Sequence, residues 1–265
     1  MKGNILNSSW LLALGSWLLA ISFSSCEPAP LTNGKPTTET RWFDEEITAI
    51  HVYNDINVTL VEADTFRIEI TTGENLMEKI TSTVENGILY LKNENIRYWI
   101  RSYDYPLDIK IYHNSITRIN YESWGDLTSE GYISQDTIDH FYLDVRHGSG
   151  HIDVKVNCKT LSVSAHDGTA KVTVAGSADY TDIYHNARNN IYAKEMVSKN
   201  ARVRAYYEGS VYVNCINKLE ALINNFGSIY YNKSVKETSP VQGYDKIITD
   251  SPVPNSRGVF EPYER

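Results

Sequence analysis

Cysteine is scarce in this chain of 265 residues, with three in all, and basic residues are outnumbered: 25 Lys and Arg stand against 33 Asp and Glu, a formal charge of −8. That balance argues against a nucleic-acid partner, whose phosphates need a basic footprint. Long hydrophobic runs are missing as well. The most apolar stretch, LLALGSWLLAI from Leu11 to Ile21, has about eleven residues, against the roughly twenty that span a bilayer. Its length suits the core of a secretory signal, with Lys2 ahead of it and the small residues Ser24 and Ser25 behind.

Ser24-Ser25-Cys26 resembles the lipobox of bacterial lipoproteins, although Phe23 stands where Leu is usual. The resemblance implies that residues 1–25 are a signal peptide and that Cys26 receives a diacylglycerol and becomes the new N-terminus. Two lipid chains and an N-terminal acyl group anchor a protein without a membrane-crossing segment, at about 0.8 kcal/mol per buried methylene. The location expected is the cell envelope, at the outer membrane of a Gram-negative bacterium. The competing reading is an ordinary signal cleaved near Ser25, with Cys26 incidental. Losing Lys2, the one charge in residues 1–25, makes the mature chain more acidic by one. From Cys26 to Thr40 the chain is rich in Pro and Thr and poor in apolar residues, a flexible tether.

Beyond the tether, alternation with a period of two dominates. INVTLVEA and FRIEITT read as half-buried strands. Asn86-Gly87 sits between two such runs and predicts a hairpin, because a type I′ turn needs φ > 0 at both central residues. NLMEKI predicts a single helical turn. Residues 41–119 therefore read as a β-rich opening region of antiparallel or mixed strands.

A repeat follows over residues 120–235. A small residue, a variable one and an apolar one recur as Gly125-Asp126-Leu127, Gly150-His151-Ile152, Ala170-Lys171-Val172, Asn189-Asn190-Ile191, Gly209-Ser210-Val211 and Gly227-Ser228-Ile229. Alternating strips such as YLDV, LSVSA and ARVRA precede the corners. A two-strand unit reiterated in this way cannot bury its apolar residues alone, whereas stacked units share one interior. The expected fold is all-β: a short parallel β-solenoid of about six coils of ~20 residues, with the opening region capping one end. Ile152, Val172, Ile191, Val211 and Ile229 would form one inward column. The competing fold is a sandwich of antiparallel sheets. Residues 236–265, with four prolines, read as a loosely attached tail in which Ile247, Ile248 or Phe260 could dock.

The same register points Cys158 and Cys215 inward, about three coils and roughly 14 Å apart. A disulfide needs Cα atoms within about 7 Å, so both are expected as buried thiols.

Three segments carry a family resemblance: Val84-Glu85-Asn86-Gly87-Ile88-Leu89, Gly148-Ser149-Gly150-His151-Ile152 and Gly227-Ser228-Ile229-Tyr230-Tyr231. Over roughly residues 41–235 the chain resembles the head-GIN-domain family of autotransporter adhesins. AHDGTAKV, with its glycine shifted, and NARNNI, with asparagine in its place, depart from the pattern. The resemblance implies a right-handed parallel β-helix, often with lipoprotein-type export signals, and carries over no catalytic residue.

The candidate chemistry is sparse. His147, His166 and His185 recur every 19 residues, but His166 has outward parity while the other two have inward parity entering a turn, a poor start for tetrahedral zinc. Asp144, Asp153 and Asp182 are outward carboxylates, but acid–base cleavage of a glycoside needs a close pair. An outward column of Tyr192, Tyr212 and Tyr230, near Tyr206 and Tyr207, is the stronger candidate, since tyrosine offers an apolar body and a hydrogen-bonding tip to sugars or peptides. Like residues also stack on neighbouring strands merely to stabilise sheets.

The sequence thus predicts a non-enzymatic envelope lipoprotein that binds a glycan or a protein. No cofactor, no metal and no nucleic acid is expected, and its partners are the membrane, that ligand, and further copies meeting through the solenoid ends. The alternatives are a structural envelope component and a carbohydrate-active enzyme.

Overall fold

The computed structural model describes residues 32–95, 107–134, 138–224, 226–242 and 258–263. Cys26, the signal segment and the Ile247-Ile248 pair lie outside them. About two thirds of the described residues are strand, in one curled, open sheet with almost no helix.

Residues 36–130 contribute β1 (Pro36–Trp42), β2 (Ala49–Asn54), β3 (Asn57–Glu62), β4 (Arg67–Gly73), β5 (Ile80–Glu85), β6 (Ile88–Asn93), β7 (Asp108–His113), β8 (Arg118–Ser123) and β9 (Leu127–Glu130). The segment expected as a tether to Thr40 therefore ends earlier, because Pro36 to Thr40 pair with β4. One helical turn, α1 (Glu74–Met77), falls within the segment expected to form it. Then come β10 (His140–Val145) and four strands of equal length: β11 (His151–Ala165), β12 (Lys171–His185), β13 (Ile191–Ala205) and β14 (Gly209–Ile223). The short strands β15 (Gly227–Asn232), β16 (Glu237–Gln242) and β17 (Phe260–Tyr263) complete the sheet.

Each long strand bends midway. In β11 the buried positions are Ile152, Val154 and Val156, then Leu161, Val163 and Ala165, so the parity reverses across a corner at 157–160. Both arms therefore turn their apolar side to the same interior. The arms stack in parallel. On one flank Ile109, Val58, Leu127, Ile152, Val172, Ile191, Val211, Ile229 and Phe260 are successive register partners. On the other, Leu89, Ile50, Ile119, Leu143, Val163, Ile183, Val203 and Ala221 align in the same way. Full burial of each large aliphatic side chain contributes about 1.5–3 kcal/mol, which makes these two columns the core.

The parallel stack is not confined to the repeat. β2 and β3 pair in parallel with β8 and β9 on one side and with β6 and β7 on the other. The earliest strands of the stack are thus inserted between later ones. Antiparallel strands close that end: β5 on β6, through Asn86 (φ 52°) and Gly87 (φ 75°), and β1 on β4 on β7. At the other end the tail adds β16 to β14 and β17 to β15, and Phe260 stacks on Tyr231 at 4.5 Å. Pro262 in β17 stands at a position whose nitrogen faces away from β15, and it has no N–H to offer a further strand.

The glycines of the GSG corner have a packing reason. Tyr121 is fully buried, donates its hydroxyl hydrogen to the Gly125 carbonyl, and lies with its ring against Gly148 and its hydroxyl against Gly150 of the next level. A Cβ at Gly148 would come within 2.8 Å of Tyr121 Cδ1 and closer still to Cε1. Burial pushes the Tyr121 phenol up to about 12. His185 repeats the device: it reaches the Asn189 carbonyl at 2.9 Å, and Gly209 (φ 128°) sits over it where a Cβ would approach Cε1 to 2.7 Å.

Outside the corners, charges alternate along the stack with a step of twenty residues. Asp139 pairs with Lys159 at 2.5 Å and Asp179 with Lys199 at 2.6 Å. Such exposed pairs add little stability singly, but they disfavour a shift by one level, which would place like charges together.

Cys158 and Cys215 occupy one column, through Cys158↔Ala178, Ala178↔Ser198 and Ser198↔Cys215, and both are free. Cys215 is buried as expected, while Cys158 is half-buried at the bend. Desolvation raises both thiols, Cys158 to about 12.

Candidate functional site: a tyrosine ladder on one flank

Between inward Ile191 and Ala193, inward Val211 and Val213, and beside inward Ile229, the outward positions are Tyr192, Tyr212 and Tyr230. They are direct register partners. Their rings stack, with centroids 5.1 Å apart and planes 5° apart for Tyr192–Tyr212, and 4.9 Å and 14° for Tyr212–Tyr230. The centroid spacing is close to the inter-strand distance of a sheet, so the backbone holds the rings in register. Desolvation, then the Tyr230 and Tyr192 hydroxyls, raise the Tyr212 phenol above its ordinary value. The column continues downward to Thr173 and Asp153 and upward to Glu261.

Four flanking residues were not anticipated. Lys171 Nζ lies 5.3 Å from the Tyr192 ring, and Lys194 Nζ lies 4.6 Å from Tyr212 and 4.7 Å from Tyr263. Asn190 Nδ2 donates to the Tyr192 hydroxyl at 3.2 Å, and the Tyr263 hydroxyl donates to the Val213 carbonyl at 3.1 Å. Lys194 was readable, being two residues from Tyr192 and so on the same side. Tyr263 was not, because nothing in the tail announces that it adds a strand.

Tyr206 and Tyr207 sit just beyond β13, at the end of the other arm. Tyr206 packs on Tyr184 at 5.3 Å, and Tyr184 lies 5.3 Å from His166, a second aromatic line on the opposite flank. Tyr207 is exposed at the corner, where Arg188 donates to its hydroxyl at 3.3 Å.

The histidines diverge. His185 is buried in the corner, its charged form disfavoured by desolvation. His166 faces outward and pairs with Asp144 at 3.3 Å. His147 corrects the inward parity read from its position: at φ 52° it turns out of the strand, exposed, and pairs with Asp167 at 2.8 Å. Among the described residues no three His, Cys, Asp or Glu side chains converge as a metal would require. The outward carboxylates are likewise separated: Asp144 is tied to Arg146 and His166, Asp182 to Arg204, and Asp153 lies on the ladder flank. A polar groove of about 1030 Å³ lies at the far bend, between Glu62, Asn114, Thr117, Asp139 and His140. His140 there is stacked on Tyr142 at 3.7 Å.

The family described as "putative auto-transporter adhesin, head GIN domain" matches residues 46–234. No curated protein matches the chain. Among solved structures, a "putative adhesin" from Bacteroides fragilis NCTC 9343 superposes with a TM-score of 0.75 at 18% identity, covering 88% of this chain and 99% of its own. A "putative adhesin" from Parabacteroides distasonis ATCC 8503 gives 0.61 at 15% identity, covering 88% and 99%. A "putative lipid binding protein" from the same organism gives 0.57 at 16%, covering 88% and 96%. At these identities the likeness shows a shared fold. No helix among the described residues is long and apolar enough to cross a membrane.

Proposed function

The chain belongs to the head-GIN family of auto-transporter adhesins, and on that footing we propose that it is a non-enzymatic adhesion module of the cell envelope, contacting a glycan or protein through the ladder of Tyr192, Tyr212 and Tyr230. The observation that carries this reading is the ladder itself: three stacked outward phenols on a rigid sheet, joined by two ammonium groups. A lipid on Cys26 holds the module to the outer membrane, after removal of residues 1–25 and with the few residues between Cys26 and Thr32 as the tether. The stack winds as a right-handed parallel β-helix, the hand that parallel crossovers take in nearly all sheets.

A carbohydrate-active enzyme is the weaker reading, because Asp144 and Asp182 are held in ion pairs and Asp153 lies on the other flank. A purely structural role would leave the lysines and tyrosines of one flank without a task. Self-association by strand addition at the C-terminal end is disfavoured by Pro262, which removes a donor from the outer edge of β17.

The test is a glycan and matrix-protein array probed with the wild type and with the Tyr192→Ala/Tyr212→Ala/Tyr230→Ala variant. The expected result is at least one ligand whose signal the variant loses. Equal binding by both proteins, or none by either, removes the ladder as a binding site.

A further inference from the structure

Rings that stack on one another have little face left for a ligand. The facing surfaces of Tyr192, Tyr212 and Tyr230 are covered within the ladder, and the Lys171 ammonium lies over Tyr192. A sugar therefore cannot lie flat on these phenols. What solvent meets is a row of ring edges and hydroxyls, one per level, running along the stack axis.

That row has a sign. The edge of an aromatic ring carries the positive part of its quadrupole. Two ammonium groups reinforce it. Several other lysines of the stack are tied to carboxylates, Lys159 to Asp139, Lys199 to Asp179 and Lys218 to Glu220. The Lys171 and Lys194 ammonium groups meet aromatic rings instead, as Lys92 meets Tyr53 at the other end of the molecule. Acidic residues bracket the strip, Asp153 two levels below Tyr192 and Glu261 one level above Tyr230, which confines it to the levels between.

The row also has a period, steps of 5.1 and 4.9 Å. An extended peptide repeats a side of its chain roughly every 6.8 Å, so it falls out of step with the phenols by the third. A pyranose in an extended linear glycan advances by nearly one level per residue, and the same side of the chain returns every second residue, hence every second level, so it keeps in step.

We infer that this strip holds a linear, carboxylate-bearing glycan laid along the stack axis, one sugar residue per level, with the three phenol hydroxyls as hydrogen-bond partners and the Lys171 and Lys194 ammonium groups as counter-charges. The inference rests on the adhesion reading and narrows it to one ligand chemistry and one orientation.

The experiment compares binding of the full chain to polygalacturonate and alginate with binding to fully methyl-esterified polygalacturonate, polyglutamate and polyphosphate, in 0.15 M NaCl. The variants are Lys171→Gln/Lys194→Gln and Tyr192→Phe/Tyr212→Phe/Tyr230→Phe, which keep the exposed stems and the ring stack. Expected is binding to at least one of the two carboxylated glycans, tenfold or more above the ester, with a tenfold or greater loss in the lysine pair and a smaller loss in the Phe triple. The inference is overturned if neither glycan binds, if the ester binds as well, if the lysine variant is unchanged, or if polyglutamate or polyphosphate binds equally. If a neutral or protein ligand on the array still needs the three tyrosines, the adhesion reading survives that failure. If no array ligand needs them, both fall.

Discussion

Replacing Gly148 by Ala puts the packing account of the GSG corner at risk. The new methyl would lie within 2.8 Å of Tyr121 Cδ1 and nearer to Cε1, while its next neighbour, the Ser123 carbonyl, is at 3.3 Å. Gly148 itself does not have a positive φ, so the cost is steric and comes from one ring. That ring is fully buried and cannot swing aside. Overpacking of this kind costs about 1–3 kcal/mol. Tyr121→Ala alone should cost about 3–5 kcal/mol, as large aromatic truncations do. In the double variant the methyl added at position 148 occupies part of the space the ring vacated, and its cost should fall to nearly nothing. The coupling is then about 1–3 kcal/mol, well beyond the ~0.5 kcal/mol scatter of independent sites. Urea unfolding of the four proteins gives it, provided the m-value is constant. Additive losses would refute the claim that Tyr121 is why position 148 is glycine.

Acid should destabilise the fold through its buried histidines. Burial lowers His113 to about 4 and lowers His185 as well. Between pH 6.5 and the folded-state value the unfolded chain binds more protons, so stability is full above pH 6.5 and is lost as pH falls. Near pH 5 His113 alone should account for roughly 2 kcal/mol of the loss. The urea midpoint measured from pH 7.5 to 4.5 should therefore fall, and His113→Leu should flatten the curve; an unchanged curve rejects the assignment. Independently, Cys26→Ala should move the protein from the membrane pellet to the soluble fraction and abolish incorporation of labelled palmitate, whereas a variant that still pellets disproves the anchor.

Much of the stack was legible because a period of two and a step of about twenty residues survive in the chain. Ile152, Val172, Ile191, Val211 and Ile229 are successive partners, as the triplets implied. The same triplets aligned the tyrosines. The insertion of β2 and β3 between strands later in the chain was not legible, because it leaves no period; only the coordinates reveal that Val58 lies between Ile109 and Leu127. Ring orientation was hidden too, since parity fixes which side a tyrosine takes and not whether its face or its edge meets solvent. The alternation of Asp139, Lys159, Asp179 and Lys199 was there to be read. It went unnoticed because apolar residues carry the usual periodic signal.

The inserted strands set a distance. The residues that follow the tether enter the fold beside β4 and α1, where Asn75 Nδ2 donates to the Thr32 carbonyl at 3.0 Å. From Ile109 at that base, the column climbs through Val58, Leu127, Ile152, Val172 and Ile191 before it reaches Val211, beside Tyr212. At ~4.8 Å per level that is a rise of roughly 29 Å. On the proposed lipid anchor, a stiff mast of this height standing on its foot would carry the phenol row that far from the headgroup layer.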